Sequence, residues 1–254
     1  MTKPRQESSG FSNSPKSKAS RKKYSESSTD HPAKEQQAVA LINQGKLQEA
    51  EEIYRELIAA GTENHLVYGN LAAICGMQGR FNELVDLLTK ALKLKPNHPN
   101  SHNNLGNALK GQGDIGAAIA SYNRALQLKP NYPEAHFNLG NALKGQGDLE
   151  AAIASYNRAL QLKPNYPEAY YNKGITLKEQ GKIKEAITSY YTALKLKHDY
   201  PNAHNSLGNA LKEQGDLDAA IASFNTALQL KQKYPEAHNN LGNALQEQGD
   251  LDTA

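Results

Sequence analysis

Asparagine recurs at a fixed step of 34 residues, at Asn70, Asn104, Asn138, Asn172 and Asn240, with Ser206 holding the same register. Three residues further along, a second row holds Asn107, Asn141, Asn209 and Asn243, interrupted by Ile175. Three further again, a third row holds Lys110, Lys144, Lys178 and Lys212. Residues three apart share one face of a helix, so the three rows form a single strip. A side-chain amide carries both donors and an acceptor, and can pair with the C=O and N–H of an extended peptide whatever that peptide's sequence. The lysines beside it suit acidic or phosphorylated segments. A second reading stays open: the amides tie neighbouring helices together and were copied with the rest of each unit. Asparagine is a poor helix former, so its return at one helical position needs one reason or the other.

Other reactive side chains point away from catalysis. His102, His136, His204 and His238 recur at the same step. Successive helical hairpins would hold them roughly 10 Å apart, whereas zinc ligands sit at about 2 Å from the metal. Ring packing therefore accounts for them better than metal binding. The single cysteine, Cys75, stands where most units have Leu and reads as a small core residue. One thiol permits neither a disulfide framework nor a cysteine-based zinc site. No phosphate loop, nucleotide fingerprint, nucleophile elbow or carboxylate pair is present, so the chain reads as non-catalytic, with no cofactor and no metal.

The elements that must position these rows follow from the period. Aligned on it, the units are 31–64, 65–98, 99–132, 133–166, 167–200, 201–234 and a partial 235–254, and residues 117–135 and 151–169 are identical. Such a unit cannot bury its apolar face alone and must stack on its neighbours. Each reads as two helices. In 99–132, Pro99 suits a first helical turn, and Leu105, Ala108 and Leu109 share one face. Gly111 and Gly113 are expected to end the first helix, and Asp114 to cap the second. Ala118, Ile119, Tyr122 and Leu126 carry the second apolar face until Pro130 stops it. Gly106, Ala118 and Ala125 are small where the two helices must approach closely.

Leu105, Gly106, Leu109, Gly113, Ala118, Tyr122, Ala125 and Pro130 resemble the tetratricopeptide repeat signature. The set returns as Leu139, Gly140, Leu143, Gly147, Ala152, Tyr156, Ala159 and Pro164, and again around Leu207, Gly208 and Phe224. The resemblance extends over residues 31–254, with unit 31–64 the most degenerate. It implies an all-α fold, a right-handed superhelix of antiparallel helix pairs whose first helices line the concave face. The asparagine rows, with NLGNALK around them, resemble the ladder in the repeat superhelix of O-linked N-acetylglucosamine transferases and their SPINDLY relatives. A carboxylate clamp for a chaperone C-terminus needs Lys at the fifth position of a unit. Here that position holds Gly69, Asn103, Phe137, Tyr171, Asn205 and Asn239.

The function expected is therefore a protein–protein interaction scaffold for extended or acidic peptide segments. The alternative is the substrate-recruiting arm of a larger glycosyltransferase of that kind, or of a sulfotransferase or methyltransferase. Residues 1–30 are Ser-rich and basic, hold seven of the Lys and Arg residues against three acidic ones, and are expected to be disordered. The repeats are then close to neutral, which argues against nucleic acid as a partner. No apolar run reaches about 18 residues and no secretory signal precedes the repeats, so neither membrane insertion nor export is expected, and the cytoplasm is the expected location. The chain stops at Ala254 just after the Gly249-Asp250 pair, where a turn is expected. That ending predicts a truncated longer protein, or self-association through an uncapped end.

Overall fold

The computed structural model describes residues 30–252, with side chains through Gly249. Apart from Asp30, the basic tail expected to be disordered lies outside the described residues. Among the described residues there are thirteen helices and no strand. They are α1 His31–Asn43, α2 Leu47–Ala59, α3 His65–Met77, α4 Phe81–Leu94, α5 Pro99–Gly111, α6 Ile115–Leu128 and α7 Pro133–Gln146. They continue as α8 Leu149–Leu162, α9 Pro167–Glu179, α10 Ile183–Leu196, α11 Pro201–Gln214, α12 Leu217–Leu230 and α13 Pro235–Asp252. Consecutive helices pair within each unit and stack unit upon unit. From α5 onward the first helices of neighbouring units also touch one another, which puts them on the inside of the curve.

The hairpin of each unit has a local cause. Gly113, Gly147 and Gly215 take φ values of 87°, 90° and 92°, a left-handed turn that glycine adopts without a Cβ penalty. Gly113 alone turns the chain in its unit; Gly111, expected to share that role, is the last residue of α5. Asp114, Asp148 and Asp216 then cap α6, α8 and α12 by accepting from the backbone N–H of Ala117, Ala151 and Ala219. Lys129, Lys163, Lys197 and Lys231 close the second helices with their ammonium groups 4.3–4.8 Å from the rings of Tyr132, Tyr166, Tyr200 and Tyr234, a cation–π distance.

Within a unit, one contact sets the spacing of the two helices. The rings of Tyr122, Tyr156, Tyr190 and Phe224 are fully buried and lie against Gly106, Gly140, Gly174 and Gly208. A Cβ at any of those glycines would fall 2.5–2.7 Å from a ring carbon. Tyr54 occupies the same register in unit 31–64 and is also buried. Two units depart from the rule: Tyr54 stands opposite Ala38, and in unit 65–98 Leu88 takes the place of the ring, opposite Ala72.

The turn expected at Gly249-Asp250 is not formed, and α13 runs through it to Asp252. In the complete units the second helix folds back on the first and holds the glycine turn in place. α13 packs on α12 of the preceding unit. Cys75 is buried in the core, as expected.

Candidate functional site

The sixth-position amides follow one rule: each reaches back to the unit before it. Asn138 donates to Asn103 Oδ1 at 3.0 Å, and Asn240 donates to Asn205 Oδ1 at 3.0 Å. Both acceptors sit at the fifth position of the preceding unit and are buried. Where that position is Phe137, the next amide, Asn172, reaches Asn141 Oδ1 instead, at 2.8 Å. Asn70 donates to the hydroxyl of Tyr54 at 3.1 Å, and Ser206 lies 3.5 Å from the hydroxyl of Tyr171. Asn104 is the exception. The preceding unit offers it only Gly69 and Ala73, and its exposed amide has no partner among the described residues.

The ninth-position amides face their own unit. Tyr122 donates to Asn107 Oδ1 at 2.7 Å and Tyr156 to Asn141 Oδ1 at 2.8 Å. Burial pushes both phenols well above their usual range, so they remain protonated donors. With Asn172 as its second donor, the Asn141 oxygen has both lone pairs occupied. Asn209 faces Phe224, which has no hydroxyl, and neither Asn209 nor Asn243 has a partner among the described residues. The two asparagine rows thus divide into amides that tie units together, amides such as Asn107 that hold a tyrosine of their own unit, and amides left uncommitted among the described residues.

The lysine row is charge-compensated along most of its length. Lys144 pairs with Glu179 at 3.1 Å, Lys178 with Glu213 at 2.8 Å and Lys212 with Glu247 at 3.6 Å. Each glutamate comes from the next unit. At the corresponding place after Lys110 stands Gly145, and Lys110 has no ion-pair partner among the described residues. The positive strip expected for acidic segments is therefore reduced to one uncompensated ammonium.

The histidines also bond to the backbone. The Nε2 atoms of His102, His136, His204 and His238 lie 2.8–3.2 Å from the carbonyl oxygens of Pro96, Pro130, His198 and Gln232, to which they donate. Each fastens the start of a first helix to the loop before it. Among the described residues no group of three His, Cys, Asp or Glu side chains is placed to hold a metal, and no helix is long and apolar enough to cross a membrane.

The inner face changes character along its length. From α5 on it presents the amides and lysines. Across α1 and α3 it presents Val39 and Leu66, both exposed, beside a cavity of about 410 Å³ that also includes Asn70. A second cavity, of about 310 Å³, lies between α3, α4 and α5. Neither cavity was foreseen from the sequence. The small residues Gly69, Ala73 and Gly76, at the fifth, ninth and twelfth positions of their unit, were the signal available.

Residues 106–147, 140–181, 176–215 and 208–249 match the family of TPR repeats, and residues 87–120 match a second tetratricopeptide repeat description. The chain belongs to the tetratricopeptide repeat family. Among solved structures, this TPR array is similar to MamA, at 28% identity and a TM-score of 0.60 over 64% of this chain and 95% of MamA. It shares the fold of YrrB, described as a TPR protein with an unusual peptide-binding site, at 18% identity and a TM-score of 0.61 over 73% of this chain and 96% of that one. It also shares the fold of PilW, a type IV pilus biogenesis factor, at 20% identity and a TM-score of 0.75 over 83% and 98%. No curated protein matches the chain in sequence.

Proposed function

We propose that this TPR array is a non-catalytic scaffold that binds extended peptide segments along its inner face. The observation that carries the reading is the uncommitted amides. Asn104, Asn209 and Asn243 lie on the first helices with neither amide group engaged among the described residues. Asn138, Asn172 and Asn240 each retain a second N–H. An extended peptide has an unpaired N–H and C=O at every residue, so it is the ligand whose needs such a strip meets. The description of YrrB as peptide-binding agrees with this use of the fold. The alternative reading, as the arm of a glycosyltransferase, finds no support in the family match or in the solved structures named above.

The test replaces Asn104 and Asn209 together by alanine. Loss of two neutral hydrogen bonds weakens binding by about 1–3 kcal/mol, a roughly five- to 150-fold rise in Kd. The probes are peptides selected from a random displayed library on the wild-type array and measured by fluorescence anisotropy. Helicity should be unchanged, because neither amide supports a neighbour. Equal binding by the variant and the wild type would assign the rows to architecture alone.

A further inference from the structure

The cavity between α3, α4 and α5 has a cause that can be read against the other units. In every other complete unit an aromatic ring fills the space between the helix pair: Tyr54, Tyr122, Tyr156, Tyr190 or Phe224. Unit 65–98 has Leu88 in that register and so lacks the ring. At the inner-face positions where α7 carries Phe137, Asn141 and Lys144, α3 carries Gly69, Ala73 and Gly76. Both the inside and the mouth of the site are thereby emptied. The result is the space of about 310 Å³, with buried Leu84, Leu88 and Ala108 at its floor and exposed Ala73, Asn104 and Asn107 at its rim. That is the lower end of the range for ligand pockets, about 300–1,000 Å³. It suits one large side chain and not a folded partner.

Two polar features at the rim specify what accompanies that side chain. Asn104 has an amide with no partner among the described residues, one step from the cavity floor. Lys110 follows Asn107 by one helical turn and is the only lysine of its row without a glutamate among the described residues. The cavity lining itself contains no charged group. A ligand group next to the apolar anchor would therefore meet one free amide and one uncompensated positive charge.

Resting on the scaffold reading above, we infer that this cavity is the anchor pocket of the groove, taking one large apolar side chain, aromatic or branched, of an extended peptide that carries a carboxylate beside it. The Asn104 amide pairs with the peptide backbone at the anchor, and Lys110 pairs with the carboxylate. The tyrosine and phenylalanine rings of the other units show the shape that this space accepts. The more distant amides then hold the rest of the segment without regard to its sequence, so selectivity is concentrated at this one site.

The experiment uses the full chain and a random peptide library displayed on phage, with two ways of closing the pocket. Ala73→Ile copies Ile175, which stands in the same register of its own unit, and Gly69→Phe copies Phe137. A Cβ at Gly69 meets nothing within 4 Å and Ala73 is exposed; helicity reports directly on whether either variant disturbs the fold. Selected peptides are expected to share a Phe, Tyr, Leu, Ile or Met next to Asp or Glu. Replacing that apolar residue by Ala is expected to raise Kd roughly tenfold or more, and each pocket-filling variant to do the same while staying helical. Lys110→Gln is expected to weaken binding of peptides with the carboxylate but not of their amide counterparts. Selected peptides that bind with no common apolar residue, or that bind both filled variants as tightly as the wild type, would overturn the pocket while leaving the scaffold reading standing. Unaltered binding to Lys110→Gln would overturn the carboxylate assignment. Failure to enrich any peptide on the wild type would overturn the scaffold reading, and the pocket with it.

Discussion

Replacing Gly140 by alanine should destabilise the array, although alanine is the better helix former. The Cβ would lie 2.7 Å and 2.8 Å from Cε1 and Cδ1 of Tyr156, and 3.1 Å from the backbone oxygen of Ala152. The ring has no room to retreat, because Tyr156 is fully buried and its hydroxyl is held by Asn141. Overpacking of this kind costs about 1–3 kcal/mol, against about 1 kcal/mol gained from helix propensity. The clean control is Gly69→Ala, also inside a first helix, where the new Cβ meets nothing within 4 Å. The propensity gain is common to both variants and cancels in the comparison, so the difference between them isolates the close approach, at about 1–3 kcal/mol. Urea unfolding followed by helicity measures both midpoints. If Gly140→Ala stabilised the protein as much as Gly69→Ala does, the ring-against-glycine contact would not set the spacing of the helix pair.

Asn138→Ala should lower stability by about 1–3 kcal/mol, because the oxygen of buried Asn103 loses its donor; Asn104→Ala should change stability by less than about 0.5 kcal/mol in urea unfolding, since its side chain is exposed and unpartnered among the described residues. Lys173 stands where Leu139 and Leu207 pack in their own units, and burial pushes its ammonium pKa down. Lys173→Leu should therefore raise the melting temperature, by roughly 2–4 °C if about 1 kcal/mol is recovered. Burial also lowers the pKa of His98, His136 and His204 below the ordinary histidine value. Their contribution to stability is then present above pH of about 6.5 and lost as pH falls below it, when the unfolded chain binds protons that the folded chain resists. Thermal melts between neutral and mildly acidic pH should show that decline, and His136→Asn should make it shallower.

Most of the scaffold was legible because the period exposes it. Gly106, Tyr122 and Ala118 recur in step, and these core residues do the same job in each unit that carries them. The close approach of the helices, the Asp114 cap and the burial of Cys75 all followed from that. The lysine row misled because charge depends on neighbours. Lys144 and Lys110 are equivalent by register, but Glu179 faces one and Gly145 the other, and that pairing joins residues of different units. The hydrogen bond of each histidine to the backbone was not legible, since a carbonyl six residues back, such as Pro130 for His136, leaves no side-chain signal. Gly249 shows the limit of a local signature. Its sequence is that of the other turns, yet the helical conformation persists through it to Asp252.

The duplicated stretch shows where function can diverge in such an array. Residues 117–135 and 151–169 are identical, and their rings do the same thing, with Tyr122 held by Asn107 and Tyr156 by Asn141. The amides that receive them are nevertheless committed differently. Asn141 also takes the amide of Asn172, whereas Asn138, the equivalent of Asn172, bypasses Asn107 and goes to Asn103. The whole difference comes from the fifth position, Asn103 in one unit and Phe137 in the next. A polar residue there captures the following unit's amide; an aromatic one packs on Tyr166 at 4.9 Å and sends that amide elsewhere; Gly69 leaves Asn104 with nothing and opens a cavity beside it. Core positions cannot vary without cost in the four units from 99 to 234, because a ring and a glycine must fit together there. The fifth position does vary from unit to unit, and each choice decides whether the next amide is mortar between units or an open hand to a ligand. Exchanging Asn103 for Phe should therefore release Asn138 from Asn103 and pass it to Asn107, as Phe137 does for Asn172. Solution NMR of the asparagine side-chain amides would detect the change, and an Asn138 signal unmoved by the exchange would refute the rule.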